Sequence, residues 1–212
     1  MTKRAIDIVG AVIGLALLWP VMLGVALLVR ATMGRPVLFR QVRAGRHGRP
    51  FVLVKFRTMH EGDGTDAERL TRVGKVLRST SLDELPELWN VLRGDMSLVG
   101  PRPLHMRYLP LYDERQRRRH EVRPGITGLA QVEGRNSLDW PTRLELDVRY
   151  VETHTLLLDL QIILRTVVTV IRREGISGDG AITMTPFRGE ASPPQRAPTD
   201  VPSQPSRLVE EP

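Results

Sequence analysis

The stretch from Arg78 to Leu104, RSTSLDELPELWNVLRGDMSLVGPRPL, gathers the residues best suited to chemistry. Asp83 and Glu84 are adjacent carboxylates, Arg78 lies just upstream, and Arg102 is bracketed by Pro101 and Pro103 in a stiff turn. Leu85, Leu88, Trp89 and Leu92 recur at helical spacing and predict a helix over Glu84 to Leu92. Pro86 is tolerated only in a first turn, which puts Asp83 close to the N-cap. On these residues alone, Asp83 is a helix cap, or Ser81 and Glu84 form a capping box. A carboxylate there would also face the positive end of the helix dipole, which keeps it ionised and offers a phosphate a place to bind. An ionised aspartate beside a phosphoanhydride is a competent nucleophile. Two anions approaching each other need neutralising, and Mg2+ shared between Asp83, Glu84 and diphosphate oxygens is the usual means. Arg78 and Arg102 could each fork onto phosphate oxygens.

The surrounding elements must position these groups. PVLFRQV and FVLVKFRTM, joined by RAGRHGRP, predict a β-hairpin over Pro36 to Met59, with Gly45 and Gly48 as turn residues. EGDGTD reads as a polar loop, followed by a helix over Ala67 to Leu77. LLLDLQIILRTVVTVIRR, from Leu156 to Arg173, is too often interrupted by polar residues to span a bilayer; it suits an amphipathic helix packed on the core or lying among headgroups. The fold class expected is α+β, mainly helical, with the hairpin beside the catalytic helix.

From Ile8 to Val29 runs IVGAVIGLALLWPVMLGVALLV without a charge, long enough to cross a bilayer. Basic residues flank both ends, Lys3 and Arg4 before and Arg30, Arg35 and Arg40 after, which draws both ends to the cytoplasmic side. Pro20 near the middle favours a kink or break. A re-entrant segment that dips into one leaflet and a kinked single span both fit these residues. Expected organisation is a membrane segment over 1–30, a catalytic domain over 31–189 and a disordered Pro- and Ser-rich tail over 190–212.

Bulk properties set the outer bounds. The 212 residues suffice for one ordinary domain, and the absence of cysteine excludes disulfides, thiolate catalysis and Cys-based zinc sites. A net charge of +7 calls for an anionic partner: nucleic acid, phospholipid headgroups or a phosphorylated substrate. The run RQRRRHEVR, from Arg115 to Arg123, admits any of them.

Taken together, the apolar N-terminal segment, KFRTM, VLRSTSLDELPELWNVLRGDMSLVGPRPL, YLPLY, RPGITGLAQVEGRN, LELDVRYV and LDLQIILRT resemble the monotopic phosphoglycosyl transferases, the bacterial sugar transferase family. The match runs in family order to about Arg173, and the small size is similar to members that transfer phospho-bacillosamine. The resemblance implies an enzyme of the bacterial inner membrane, its catalytic domain on the cytoplasmic face. It would attack the β-phosphorus of a UDP-sugar, release UMP and pass the sugar phosphate to undecaprenyl phosphate, with Mg2+ as cofactor. It assigns the nucleophile to Asp83 and its dyad partner to Glu84. Phosphate or nucleotide binding falls on Lys55, Arg78, the Pro101, Arg102 and Pro103 turn and Arg135, with Asp159 as a further polar position at the site. Other readings of Lys55 and Asp159 are a strand-edge lysine and a solvated helix residue.

Two rival functions follow from the same residues. A membrane-tethered nucleic-acid-binding protein would explain the charge, but the chain lacks a recognition-helix motif or aromatic platform, so nucleic acid is not an expected partner. A non-catalytic scaffold would explain the anchor, with the dyad reduced to a cap.

Overall fold

The computed structural model describes residues 2–134, 137–172 and 186–189. It is a mainly helical α+β fold with two small sheets and one long apolar N-terminal helix. Arg135, the residues 173–185 and the tail 190–212 lie outside the described residues.

Helix α1, Thr2–Met33, is rich in Ala, Leu and Val and carries Pro20 inside it, so the break expected there does not interrupt the helix. One face meets the rest of the protein in two places. Near the N-terminus, Ala11 packs with Phe51, Leu53, Leu88 and Val91; Gly14 lies so close that a Cβ would sit 3.1 Å from Leu88. Toward the C-terminus, Val25 and Val29 join Phe56 and Leu77. The remaining surface exposes Val12, Leu17, Trp19, Leu23 and Leu27.

Strands β1, Leu38–Ala44, and β2, Pro50–Phe56, form the expected antiparallel hairpin. Its turn uses left-handed backbone at His47 and Gly48. Alternation along β2 buries Phe51 and Leu53, and the next residue on that face is Lys55, opposite Phe39. A hydrophobic row thus ends in an amine.

The helix expected over Ala67 to Leu77 is two. Helix α2, Asp66–Arg69, starts at a Thr65/Glu68 capping box and stops where Leu70 bridges Met59. Helix α3, Arg72–Ser79, restarts on the Thr71 hydroxyl, which accepts from Gly74 N at 2.8 Å. Gly74 is required by contact: a Cβ there would lie 1.9 Å from the Thr58 carbonyl oxygen.

The segment around Asp83 and Glu84 also departs from its expected form. Leu82–Glu84 is a tight 3-10 turn, and helix α4, Glu87–Arg93, begins only after Pro86. Asp83 is therefore one turn before the helix rather than its cap, and Ser81 makes no capping bond to the turn. A cap contributes one side-chain acceptor to a free N–H; here Pro86 itself occupies the cap position, with φ −64° and no N–H to satisfy.

Beyond α4, strands β3, Ser97–Val99, and β4, Gly125–Thr127, pair in parallel, a sheet not anticipated from sequence. It fixes the Gly-Pro-Arg-Pro turn: Gly100 N donates to Thr127 O at 2.9 Å and Gly125 N to Pro101 O at 3.0 Å. A Cβ on Gly125 would collide with Gly100 N at 2.1 Å. Short helices α5, Glu114–Arg117, and α6, Leu129–Glu133, lead to α7, Trp140–Thr153, capped by Asp139. Helix α8, Leu156–Arg172, buries Ile162 against Val99 and Tyr150 and exposes Leu157, Leu160, Leu164 and Val168 on the other face.

Candidate active site

A cavity of about 1370 Å³ opens between the hairpin, α3, the Leu82–Glu84 turn and the start of α7. That exceeds the ~300–1,000 Å³ that encloses a drug-sized ligand. Lys55, Arg78, Asp83, Glu84 and Arg102 all line it, so five of the residues singled out in the sequence converge. Pro101 and Pro103 are not in its wall; they flank Arg102 and hold its backbone.

Asp83 is only 3% exposed, and its carboxylate lies 4.0 Å from the Lys55 ammonium. Burial pushes the Asp83 carboxyl up and neighbouring Glu84 adds to this, while Lys55, Arg78 and Arg102 oppose it. Burial likewise pushes the Lys55 ammonium down, against the pull of Asp83. On balance the Asp83 carboxyl is raised, and the three cations placed around it limit that rise without cancelling it. Arg78 donates from Nε to the Thr58 hydroxyl at 3.1 Å, which aims the guanidinium across the cavity wall. Arg102 Nη2 donates to Glu84 Oε1.

Three groups that the sequence reading missed complete the setting. Glu87, 3% exposed, has a carboxyl raised well above the ordinary range by burial and by Glu84. Its spacing was a readable signal, since Asp83 and Glu84 lie four and three positions before it, on one face of a helical turn. Arg43, brought down to about 10 chiefly by burial, lies in the wall beside Arg102. Arg143 does the same from α7 and sits over the Trp140 ring at 5.4 Å.

Asp159 is placed elsewhere. It does not line the cavity; it is buried, accepting from Lys3 Nζ at 2.6 Å and from the Tyr150 hydroxyl at 2.6 Å. It anchors the N-terminus of α1 to α8, so it is neither a solvated helix residue nor a cavity group. Lys55 is no strand-edge lysine guarding against aggregation, since it faces the dyad.

Chemically, the site offers a buried carboxylate with one amine at its side, a second carboxylate locked to an arginine, and a wall in which cations outnumber acids. Such a surface takes ligands carrying several negative charges, and the Asp83 carboxylate, in its ionised form, can add to an electrophilic phosphorus.

Comparison with known proteins agrees with this chemistry. The chain is 49% identical over 193 residues to the sugar transferase EpsL of Bacillus subtilis, covering 88% of this chain and 96% of that one. It is 44% identical over 187 residues to a UDP-glucose:undecaprenyl-phosphate glucose-1-phosphate transferase of Caulobacter vibrioides, covering 81% and 70%. The exopolysaccharide production protein ExoY of Sinorhizobium fredii is 38% identical over 198 residues, covering 82% and 88%. The family model described as bacterial sugar transferase matches residues 1–173, and the chain belongs to that family.

Proposed function

We propose that this enzyme moves a sugar 1-phosphate from a UDP-sugar to undecaprenyl phosphate, releasing UMP, through a covalent intermediate on Asp83. The observation that carries the reading is the buried Asp83 carboxylate facing Lys55 in a cation-rich cavity. An Asp83 oxygen attacks the β-phosphorus; the bond from that phosphorus to the bridging oxygen breaks, and UMP leaves with the bridging oxygen. A phosphate oxygen of the lipid then attacks the same phosphorus, the acyl phosphate bond breaks, and Asp83 is regenerated. Lys55, Arg78 and Arg102 balance the charge as the diphosphate approaches. Relatives from Caulobacter vibrioides, Aeromonas hydrophila and Klebsiella pneumoniae carry names of this reaction type.

The residues present also fit Mg2+. Asp83 and Glu84 lie on one turn in the cavity wall, and among the described residues no larger cluster of acids and histidines could form a protein-only cage. A two-carboxylate set completed by substrate phosphates and water is the usual Mg2+ environment. When bound, the ion would neutralise diphosphate oxygens and assist departure of UMP.

We read α1 as re-entrant, with the catalytic domain on the cytoplasmic face of the inner membrane. The helix is about 48 Å long, yet the same body holds both ends: Lys3 and Arg4 bind Asp159 and the Val91 and Leu92 carbonyls, while Arg57 donates to Met33 O. A span would put those ends on opposite sides of roughly 30 Å of hydrocarbon. The exposed Leu157, Leu160 and Leu164 of α8 extend the surface offered to phospholipids.

Incubation with a panel of UDP-sugars, undecaprenyl phosphate and Mg2+ in detergent should release UMP. With UDP-sugar alone, intact-protein mass should increase by one sugar phosphate on Asp83. Turnover without any such adduct would point to direct attack by the lipid phosphate. Because the chain has no cysteine, one introduced at Thr2 reports topology: labelling only from the periplasm would mean a true span.

A further inference from the structure

The cavity has two unlike rims on either side of the dyad. One comes from α3 and the strand end beside it, with Lys75, Val76 and Arg78 backed by Leu38, Met59 and Leu70. The other comes from the Met106–Leu111 turn and α7, with Arg107, Tyr108, Trp140 and Arg143. The first is tied to the membrane helix: Leu77 and Phe56 pack on Val25 and Val29, and the Thr71 hydroxyl lies 3.6 Å from Met33 Sδ. The core beneath the second, Leu104, Tyr108, Tyr112, Leu144 and Phe187, contains no residue of α1.

We propose that the polyprenyl phosphate acceptor enters over the α3 rim, its phosphate taken by Lys75 and Arg78 and its chain led toward α1 past Val76, while the nucleotide of the donor lies on the Arg107 and Arg143 side. This rests on the transfer reaction proposed above.

Three considerations support it. Each methylene withdrawn from an apolar phase costs roughly 0.8 kcal/mol, so a long prenyl chain stays with the membrane and only its phosphate reaches Asp83. The rim nearest α1 is where that phosphate arrives. Val76 is 57% exposed although its neighbour Leu77 is fully packed, and exposed Lys75 has no ion-pair partner among the described residues. An aliphatic side chain beside an unengaged cation matches the junction of prenyl chain and phosphate. Last, displacement at phosphorus is in line, so the lipid oxygen must take the place vacated by the UMP oxygen, opposite Asp83. The two substrates overlap at that one point and must diverge beyond it, and two different rims permit this.

The test uses full-length protein in detergent and compares Lys75→Glu and Val76→Asp with Arg107→Glu, all at exposed positions. The first two should raise KM for undecaprenyl phosphate about tenfold, the scale of one lost charge-assisted contact, with KM for the UDP-sugar within about twofold of wild type. Arg107→Glu should do the reverse. Equal effects on both KM values, or no effect on the lipid KM, would overturn the division. Pelleting on phosphatidylglycerol vesicles should be the same for wild type and Lys75→Glu; lost pelleting would assign Lys75 to phospholipid headgroups and overturn its role here. A wild-type enzyme that turns over no UDP-sugar with undecaprenyl phosphate would sink the underlying function instead.

Discussion

Two acid–base pairs in this protein, each with a buried carboxylate, are built to opposite standards. Arg119 and Asp147 are both almost wholly enclosed and share two hydrogen bonds, at 2.7 and 3.0 Å; Arg119 Nη2 also donates to the Arg102 carbonyl at 2.7 Å. Asp83 is buried as well and Lys55 partly so, but the two stand 4.0 Å apart on the wall of a cavity. A buried pair is tolerable when each charge is satisfied by its partner and by further hydrogen bonds. The first pair meets that condition and serves to hold the turn carrying Arg102. The second does not, and Asp83 is left loosely paired on the cavity wall, within reach of a ligand. Close pairing there would have closed off the carboxylate proposed above as the nucleophile.

The strongest way to break this contrast is Asp83→Asn. The amide keeps the shape but not the proposed nucleophile, and turnover should fall by about 10⁴-fold or more, the scale seen when a nucleophilic centre is lost. Melting in detergent should change little. Near-native turnover would exclude Asp83 as the attacking group.

Asp147→Asn should act on stability instead. It leaves Arg119 buried without its counter-charge, which costs about 3–5 kcal/mol. Replacing both partners, Arg119→Met with Asp147→Leu, should recover much of the denaturation midpoint while leaving activity impaired, because Arg102 loses its support. An inert Asp147→Asn in denaturant titrations would show the pair to be dispensable.

Lys3→Ala tests a pair of intermediate burial, with side-chain exposures of 30% and 11% for Lys3 and Asp159. Solvent screening on the lysine side keeps the expected loss to roughly 1 kcal/mol. If Asp159 is an anchor and no cavity group, KM for the UDP-sugar should not move; a large KM change would return Asp159 to the site.

Glu87→Gln should have little effect at about pH 4 and a pH signature above it. The Glu87 carboxyl is raised from 4.5, so the native state keeps a proton that the unfolded chain releases. Stability from this group is therefore greatest at low pH and declines as pH rises through the ordinary carboxylate range toward the raised value. The amide cannot titrate, so melting temperatures of variant and wild type should separate in the variant's favour as pH increases from about 4. A constant difference across pH would mean that Glu87 does not titrate differently in the two states.

Much of the fold was readable where local pattern is strong. Uninterrupted apolar composition announced α1, and alternating residues around a Gly-rich turn announced the hairpin. The helix over Ala67 to Leu77 was misread because nothing local reveals that Leu70 pairs with Met59, which cuts the segment in two. The parallel pair β3 and β4 was missed for the same reason: strands of three residues have no periodicity to detect, and their partner lies far along the chain. In the site, Asp83, Glu84, Arg78 and Arg102 stood out by type and proximity. Arg43 and Arg143 look like ordinary surface arginines until hairpin and α7 close over the cavity.

The sequence by itself determined which groups could react, because adjacent carboxylates, a proline-bracketed arginine and a membrane-length apolar run are properties of residue order. Tertiary structure decided how those groups are charged and which of them meet. It placed Asp83 in a 3-10 turn before α4, where burial and three cations from separate elements set its state. It also sent Asp159 to Lys3 at the membrane helix rather than to the dyad. Desolvation and Coulomb interactions depend on distances between residues remote in the chain, and only packing fixes those distances.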